Sequence, residues 1–366
     1  MFSKSKESSK GPTSVDIRQP GPCRQELTIS VTADGVTPVR EVVVKEFQRE
    51  ANIAGFRKGK APRQMVESKY PSEIREETVR RLTRQVFEQV TEERKLKPVG
   101  PFEVTKLEFD DAKGLALEAR VEVEPEFELA AYKDIRVTPP EIVVAPDDVE
   151  QALKQVQESM AELVEVEAGK PKERRVPAVD DELAKDAGFE SLAKLREHLE
   201  AKIREQKRGR QHAELEQQVC DLLLARHTFD VPAGLVTKQT ERLTRDFQVR
   251  LLMSGMNEEQ AKVELEKYTE QLRTNAVRVV KLSFILDRVA DAEHLDVTQD
   301  ELVDRLWKLS RRWGRDPAEV RKMLDSQGLW PSVISSIRQD KTVAFLLNLA
   351  VPQSESVEQA SAGSAK

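Results

Sequence analysis

Gly55-Phe56-Arg57-Lys58-Gly59-Lys60-Ala61-Pro62 is the stretch on which the reading of this chain turns. Its two glycines free the backbone to turn tightly, because a residue without Cβ reaches positive φ at little cost. An amphipathic segment leads up to Ile53 and a helical pattern begins at Pro62, so the stretch predicts a short projecting loop. It carries Phe56 together with Arg57, Lys58, Lys60 and, just beyond, Arg63, with no acid from Gly55 to Arg63. The whole chain has a net charge of −6, and this local inversion marks a site for an anionic partner. A bulky aromatic at an exposed tip between glycines has little local core to join, which sets the loop apart from an ordinary solvated turn.

Moving outward on the N-terminal side, Leu27, Ile29 and Val31 alternate with polar residues and predict a half-buried strand. A helix follows, with Asp34 or Thr37 as candidate N-cap, Pro38 in its first turn, and Val39, Val43, Phe47 and Ala51 on one face. On the C-terminal side a short helix runs from Pro62 to Tyr70 and is interrupted at Pro71-Ser72. The next carries Val79, Leu82, Val86, Phe87 and Val90 and ends before Lys97-Pro98, because the residue before a proline is pushed out of the α region. Two strands then flank Asp110–Gly114, and the second places Leu115, Leu117, Ala119, Val121 and Val123 on one face. Residues 23–133 thus predict an α+β domain with helices on one face of an antiparallel sheet, preceded by a disordered extension over 1–22.

Residues 134–175 predict a linker and a connecting helix. Pro139-Pro140 stiffens its first part, and Pro146 opens a helix striped by Val149, Leu153, Val156, Met160 and Leu163. The breaker-rich segment Gly169–Arg175 follows. From 176 to 351 every pattern is helical. A very long helix over Ser191–His227 either projects as an arm or bends near Gly209, and two more long segments turn at Ser254-Gly255 as an antiparallel hairpin. Asn257 and Gln260 form a capping box at that turn, and three shorter helices start at Thr298, Asp316-Pro317 and Trp330-Pro331. The polar tail 352–366 predicts disorder.

A chain of 366 residues exceeds the roughly 250 to 300 at which single cores stop growing. Its 34% charged residues lie above the ~25% usual for globular domains, which fits long solvated helices better than a compact enzyme core. The acidic balance excludes wholesale coating of nucleic acid, so any such contact is local. Cys23 and Cys220 belong to no CxxC pair and read as reduced thiols; His198, His212, His227 and His294 share no metal-like spacing and read as surface residues. The loop departs from a Walker phosphate loop, since Lys60 is followed by Ala61-Pro62, and no nucleophile motif such as G-x-S-x-G occurs. Neither a signal-peptide core nor a membrane span is visible, which predicts a cytoplasmic protein.

Gly55, Phe56, Arg57, Gly59, Lys60 and Pro62 fill every fixed position of the G-F-R-x-G-K-x-P pattern of trigger factors, and the order of elements over residues 24 to 350 resembles that family too. The resemblance implies a ribosome-associated, ATP-independent chaperone that needs no cofactor. It docks by this loop at the exit tunnel of the large subunit, on rRNA and ribosomal protein, and its helical arms shield nascent or unfolded polypeptide. By the same resemblance Phe56, Arg57 and Lys58 are the contact residues. For substrate contact the hairpin offers Leu251, Leu252, Met253 and Met256, since methionine's flexible side chain suits varied partners. Trigger factors normally carry an FKBP-like peptidyl-prolyl isomerase domain after the connecting helix. Only about a dozen residues are available here, against the roughly 50 an independent domain needs, so the chain is expected to lack that enzyme. Retained isomerase activity, an extracytoplasmic SurA-like holdase and a general RNA-binding protein are the competing readings; self-association of the free protein is left open.

Overall fold

The computed structural model describes residues 13–164 and 173–351. In chain order these form β1 (Thr13–Gly21), β2 (Arg24–Val31), α1 (Ala33–Glu50), α2 (Arg63–Lys69), α3 (Pro71–Glu93), β3 (Glu103–Asp110) and β4 (Gly114–Glu122). Next come α4 (Pro146–Ser159), β5 (Glu162–Val164), β6 (Glu173–Arg175), α5 (Asp181–Asp186), α6 (Leu192–Arg226), α7 (Ala233–Met253), α8 (Glu258–Ala292), α9 (Gln299–Trp313), α10 (Pro317–Gln327) and α11 (Trp330–Ala350). They divide into two compact units, Met1–Leu129 with His227–Ile285, and Ala130–Arg226 with Leu286–Lys366.

The first unit is built on an antiparallel sheet of order β1-β2-β4-β3. Alternation decides which face is buried: Leu27, Ile29 and Val31 of β2 pair with Ala119, Leu117 and Leu115 of β4, and all six are buried. Leu82, Val86 and Val90 of α3 and Val36 of α1 close over that face. A second apolar cluster joins Val43 and Val44 of α1 to Ile53, Ala61, Val66 and Ile74, and it holds both ends of the loop read from the sequence.

An ionic clamp ties α1 to α3. Arg81 Nε donates to Glu77 at 2.6 Å and Nη1 to Glu46 at 3.0 Å. Hydrogen bonds from Arg81 hold both carboxyls below their usual value of 4.5. A depressed carboxylate pKa adds stability that is complete above the unfolded value and is lost as pH falls through the folded one. Glu77→Gln is therefore expected to lower the melting temperature slightly at neutral pH and to flatten its decline below about pH 5, read from thermal denaturation over an acid series.

In the same unit α7 and α8 form the expected antiparallel hairpin: Val236 packs with Ala276 and Val280, and Phe247 meets Tyr268 edge-on at 5.3 Å. Asn257 and Gln260 cap α8 reciprocally, at 2.8 and 3.1 Å. In the second unit Leu153 of α4, Ala184 of α5, and Leu195 and Leu199 of α6 share a core. There α9 is capped by Thr298 and Glu301, and Arg305 and Lys341 pair α9 with α11 through Asp340 and Glu301.

Several expectations are corrected. Residues 13–21 are not a disordered extension: β1 adds to the free edge of β2 and sets Val15 and Ile17 against the core. The disorder expected over 1–12 and 352–366, and the linker over 169–172, lie outside the described residues. Neither Asp34 nor Thr37 caps α1, which begins at Ala33, so Pro38 lies inside the helix and the Thr37 hydroxyl donates to Ala33 O at 2.9 Å. Met160 caps α4 and Leu163 belongs to β5, so the stripe ends at Val156. The short helix α5 was not foreseen, and α6 runs unbroken through Gly209.

The compact units also cut across the sequence divisions, because His227–Ile285 joins the first unit. There Glu122 accepts from Gly234 N at 2.7 and 3.0 Å, the Cys23 thiol donates to Asp230 O at 3.2 Å, and Phe127 stacks on Phe229 at 4.1 Å.

Candidate functional site

The loop between α1 and α2 is two tight turns in tandem. Phe56 N donates to Ile53 O at 3.0 Å and Lys60 N to Arg57 O at 2.9 Å. Gly55 and Gly59, third in each turn, have φ of 88° and 82°. That position of a type II turn requires positive φ, which explains both glycines. Open space surrounds a Cβ built on Gly55, and one on Gly59 would make only ordinary contact with Arg49, so backbone conformation rather than crowding demands them.

The base of the loop is fixed where its tip is not. Ile53 and Ala61 are buried, the Gln48 side chain donates to Ala61 O at 2.7 Å, and Lys69 Nζ donates to Asn52 O at 2.9 Å. Above this base Phe56 is 38% exposed, and Arg57, Lys58 and Lys60 are all exposed. Among the described residues no carboxylate forms an ion pair with these three cations; Arg63 alone is engaged, with Glu67 at 3.2 Å. Uncompensated cations around an aromatic tip present a charge for an anionic surface and an apolar group for a crevice. Pro62 takes the N-cap position of α2 and ends the loop.

The hairpin residues separate. Met253 is 83% exposed, and Leu252 and Met256 are exposed beside it at the turn. Leu251 is buried, so its nomination as a substrate contact is corrected: helical periodicity turns it into the hairpin. Sequence reasoning missed Val303, Trp307 and Trp313, which α9 leaves exposed in the second unit; the signal was their tryptophan content in an otherwise charged helix. Of the four histidines, His227 is buried with Phe127 edge-on at 5.8 Å, against the surface position expected for it. Cys23 and Cys220 are free of disulfides, and burial pushes the Cys23 thiol up. Among the described residues no cluster of His, Cys, Asp or Glu could hold a metal ion, and no helix is long and apolar enough to cross a membrane.

Comparison with known proteins gives two family matches that between them cover most of the chain. Residues 13–156 match the model of bacterial trigger factor protein (TF), and residues 191–348 that of the bacterial trigger factor protein (TF) C-terminus. The trigger factor of Geobacillus sp. (strain WCH70) is 26% identical, with 88% of this chain and 95% of the relative covered. That of Anaeromyxobacter dehalogenans (strain 2CP-C) is 24% identical, with 93% and 99% covered. The first alignment runs over 417 positions against a chain of 366 residues, so the relative carries segments that this chain lacks. A solved structure concerned with promiscuous substrate recognition in folding and assembly activities of the trigger factor chaperone is 19% identical. It covers 92% of this chain and 99% of that one with a TM-score of 0.49.

Proposed function

The chain belongs to the bacterial trigger factor family and is a chaperone of that kind, and from this premise we propose that Gly55–Pro62 anchors it to the large ribosomal subunit beside the exit tunnel. Members of the family bind ribosomes and nascent chains. In this reading Arg57, Lys58 and Lys60 meet rRNA phosphates while Phe56 enters an apolar crevice on a ribosomal protein. The single observation that carries it is an exposed phenylalanine held between two left-handed glycines and ringed by unpaired cations on a net acidic chain.

Leu252, Met253 and Met256, with Trp307 and Trp313, supply exposed apolar surface for unfolded segments. Tethering raises the local concentration of client, so each contact can stay weak and release needs no ATP. Action in the cytoplasm, and self-association through these surfaces when no ribosome is present, belong to the same proposal.

The isomerase region is missing between the two matched segments, where only residues 157–190 stand. We read the chain accordingly as a holdase without prolyl isomerase activity.

Cosedimentation with ribosomes across a salt series tests the docking. Three phosphate contacts predict that raising salt from about 50 to about 200 mM weakens binding roughly twentyfold to fortyfold, leaving a salt-insensitive remainder from Phe56. A salt-independent affinity, or equal affinity for free RNA, would overturn this reading.

A further inference from the structure

Sheet order leaves β3 as an edge strand, with one side of its backbone paired to no other described strand. Helix α3 runs alongside it in the opposite direction and is pinned to it at both ends. At one end Arg75 donates to Phe109 O at 2.8 Å; at the other Phe87 stacks on Phe102 at 4.1 Å and 8°. Between these pins Val104 and Leu107 stand opposite Ala119 and Leu117, whose side chains are buried, so they project from the helix-bearing face of the sheet. Yet each remains 42% exposed. A cavity of about 470 Å³ flanks α3 here, with Thr83, Phe87 and Phe102 in its lining, and the Thr83 hydroxyl is buried without a hydrogen-bond partner. Arg80 and Arg84 share the cavity wall with Glu88 and Glu92, and Glu103 and Lys106 lie on the strand, so the rim carries both signs of charge around its apolar floor.

An edge strand beside a helix, with apolar side chains between them and free backbone groups along one side, is the arrangement that accepts an added strand. We propose that β3 takes up an extended polypeptide segment as a fifth strand of this sheet. Its alternate apolar side chains lie over Val104, Leu107 and the Phe87–Phe102 wall. Backbone pairing reads extension and alternation rather than a particular sequence, which suits an unfolded client. This site lies on the module that carries the docking loop and is independent of the hairpin and α9 surfaces.

Amide hydrogen exchange over β3 in the full chain tests it, with and without a peptide of alternating valine and threonine flanked by lysines. Saturating peptide is expected to slow exchange of the outward amides of β3 by about tenfold or more. A fully N-methylated analogue, which keeps the side chains but cannot pair, is expected to give no protection. Leu107→Asp and Val104→Asp, both at half-exposed positions, are expected to weaken the protection at least about tenfold while the melting temperature is kept. Unchanged exchange on β3, equal protection by the methylated analogue, or full protection in both variants would overturn the proposal. So would concentration-dependent protection without peptide, since that outcome assigns the edge to a second copy of the chain.

Discussion

Replacing Phe56, Arg57 and Lys58 together with alanine is expected to lower ribosome affinity by about a hundredfold or more while the protein melts as before. The size follows from the contacts proposed: a buried aromatic anchor is worth about 2 kcal/mol or more, each charged contact adds to it, and about 2.8 kcal/mol is already a hundredfold. Unchanged stability follows from the loop itself, because all three side chains are exposed and the turns close through backbone bonds, Phe56 N to Ile53 O and Lys60 N to Arg57 O. The single variants divide the effect. Arg57→Ala and Lys58→Ala should each flatten the dependence of log affinity on log salt by about 1, whereas Phe56→Ala should weaken binding at every salt concentration and leave the slope intact. A triple variant that still cosediments like the parent protein would remove the loop as the anchor.

Much of this site was legible because local rules write it into adjacent residues. Two glycines four apart set two turns, and a proline started the next helix at the point where the loop closes. What lay at a distance in sequence was less visible. The cluster beneath the loop draws Val43 from α1, Ile53 and Ala61 from the loop ends, and Val66 and Ile74 from two further helices, and no single periodicity announces it. The sheet shows the same division. The β4 strand could be read from five alternating apolar residues, whereas β1 offers only Val15 and Ile17 amid polar neighbours and is defined by its pairing with β2. Leu251 and Met253 are two residues apart on one helix, and only packing of α7 on α8 decides that the first is buried and the second bare. The attachment of His227–Ile285 to the first unit was likewise invisible, since Glu122 and Gly234, more than a hundred residues apart, carry part of it.

Rigidity at the loop base has a functional consequence. A projecting tip held only by its own turns would lose conformational entropy on docking, and that loss would subtract from the affinity of Phe56 and its neighbouring cations. Buried Ile53 and Ala61, with the bonds from Gln48 and Lys69, fix the ends of the loop before any partner arrives. The proposed docking element is thereby preorganised, whereas Met253 and its neighbours lie on flexible side chains at an exposed hairpin turn, as the adaptable contacts proposed for them require.

Gly114→Ala is expected to cost about 3–5 kcal/mol and to lower the yield of folded protein, because two penalties coincide at one residue. The β3–β4 connection is an Asp110-centred turn: the Asp110 carboxylate accepts from Ala112 N at 2.9 Å and from Lys113 N at 3.1 Å. Those backbone donors hold its pKa below the usual carboxylate range. The turn delivers the chain to Gly114 at φ of 99°, a conformation that L side chains rarely adopt. A Cβ there would also fall 2.0 Å from Val31 O and 2.9 Å from the Thr32 carbonyl carbon. Both neighbours are backbone at the end of β2 and the entry to α1, so neither can swing aside as a side chain could. Relief requires β2 and β4 to part where Val31 faces Leu115, which opens the core under α1 and α3. Urea denaturation measures the loss directly, and Gly21→Ala, whose Cβ would meet nothing within 4 Å, is the matched control expected to change stability by less than about 1 kcal/mol. Equal stability for Gly114→Ala and the parent chain would mean that the close approach of β4 to β2 does not hold the sheet as described. Intermediate losses separate the two penalties: Gly114→Asn, which tolerates positive φ better than alanine but carries the same Cβ, should recover only the conformational share.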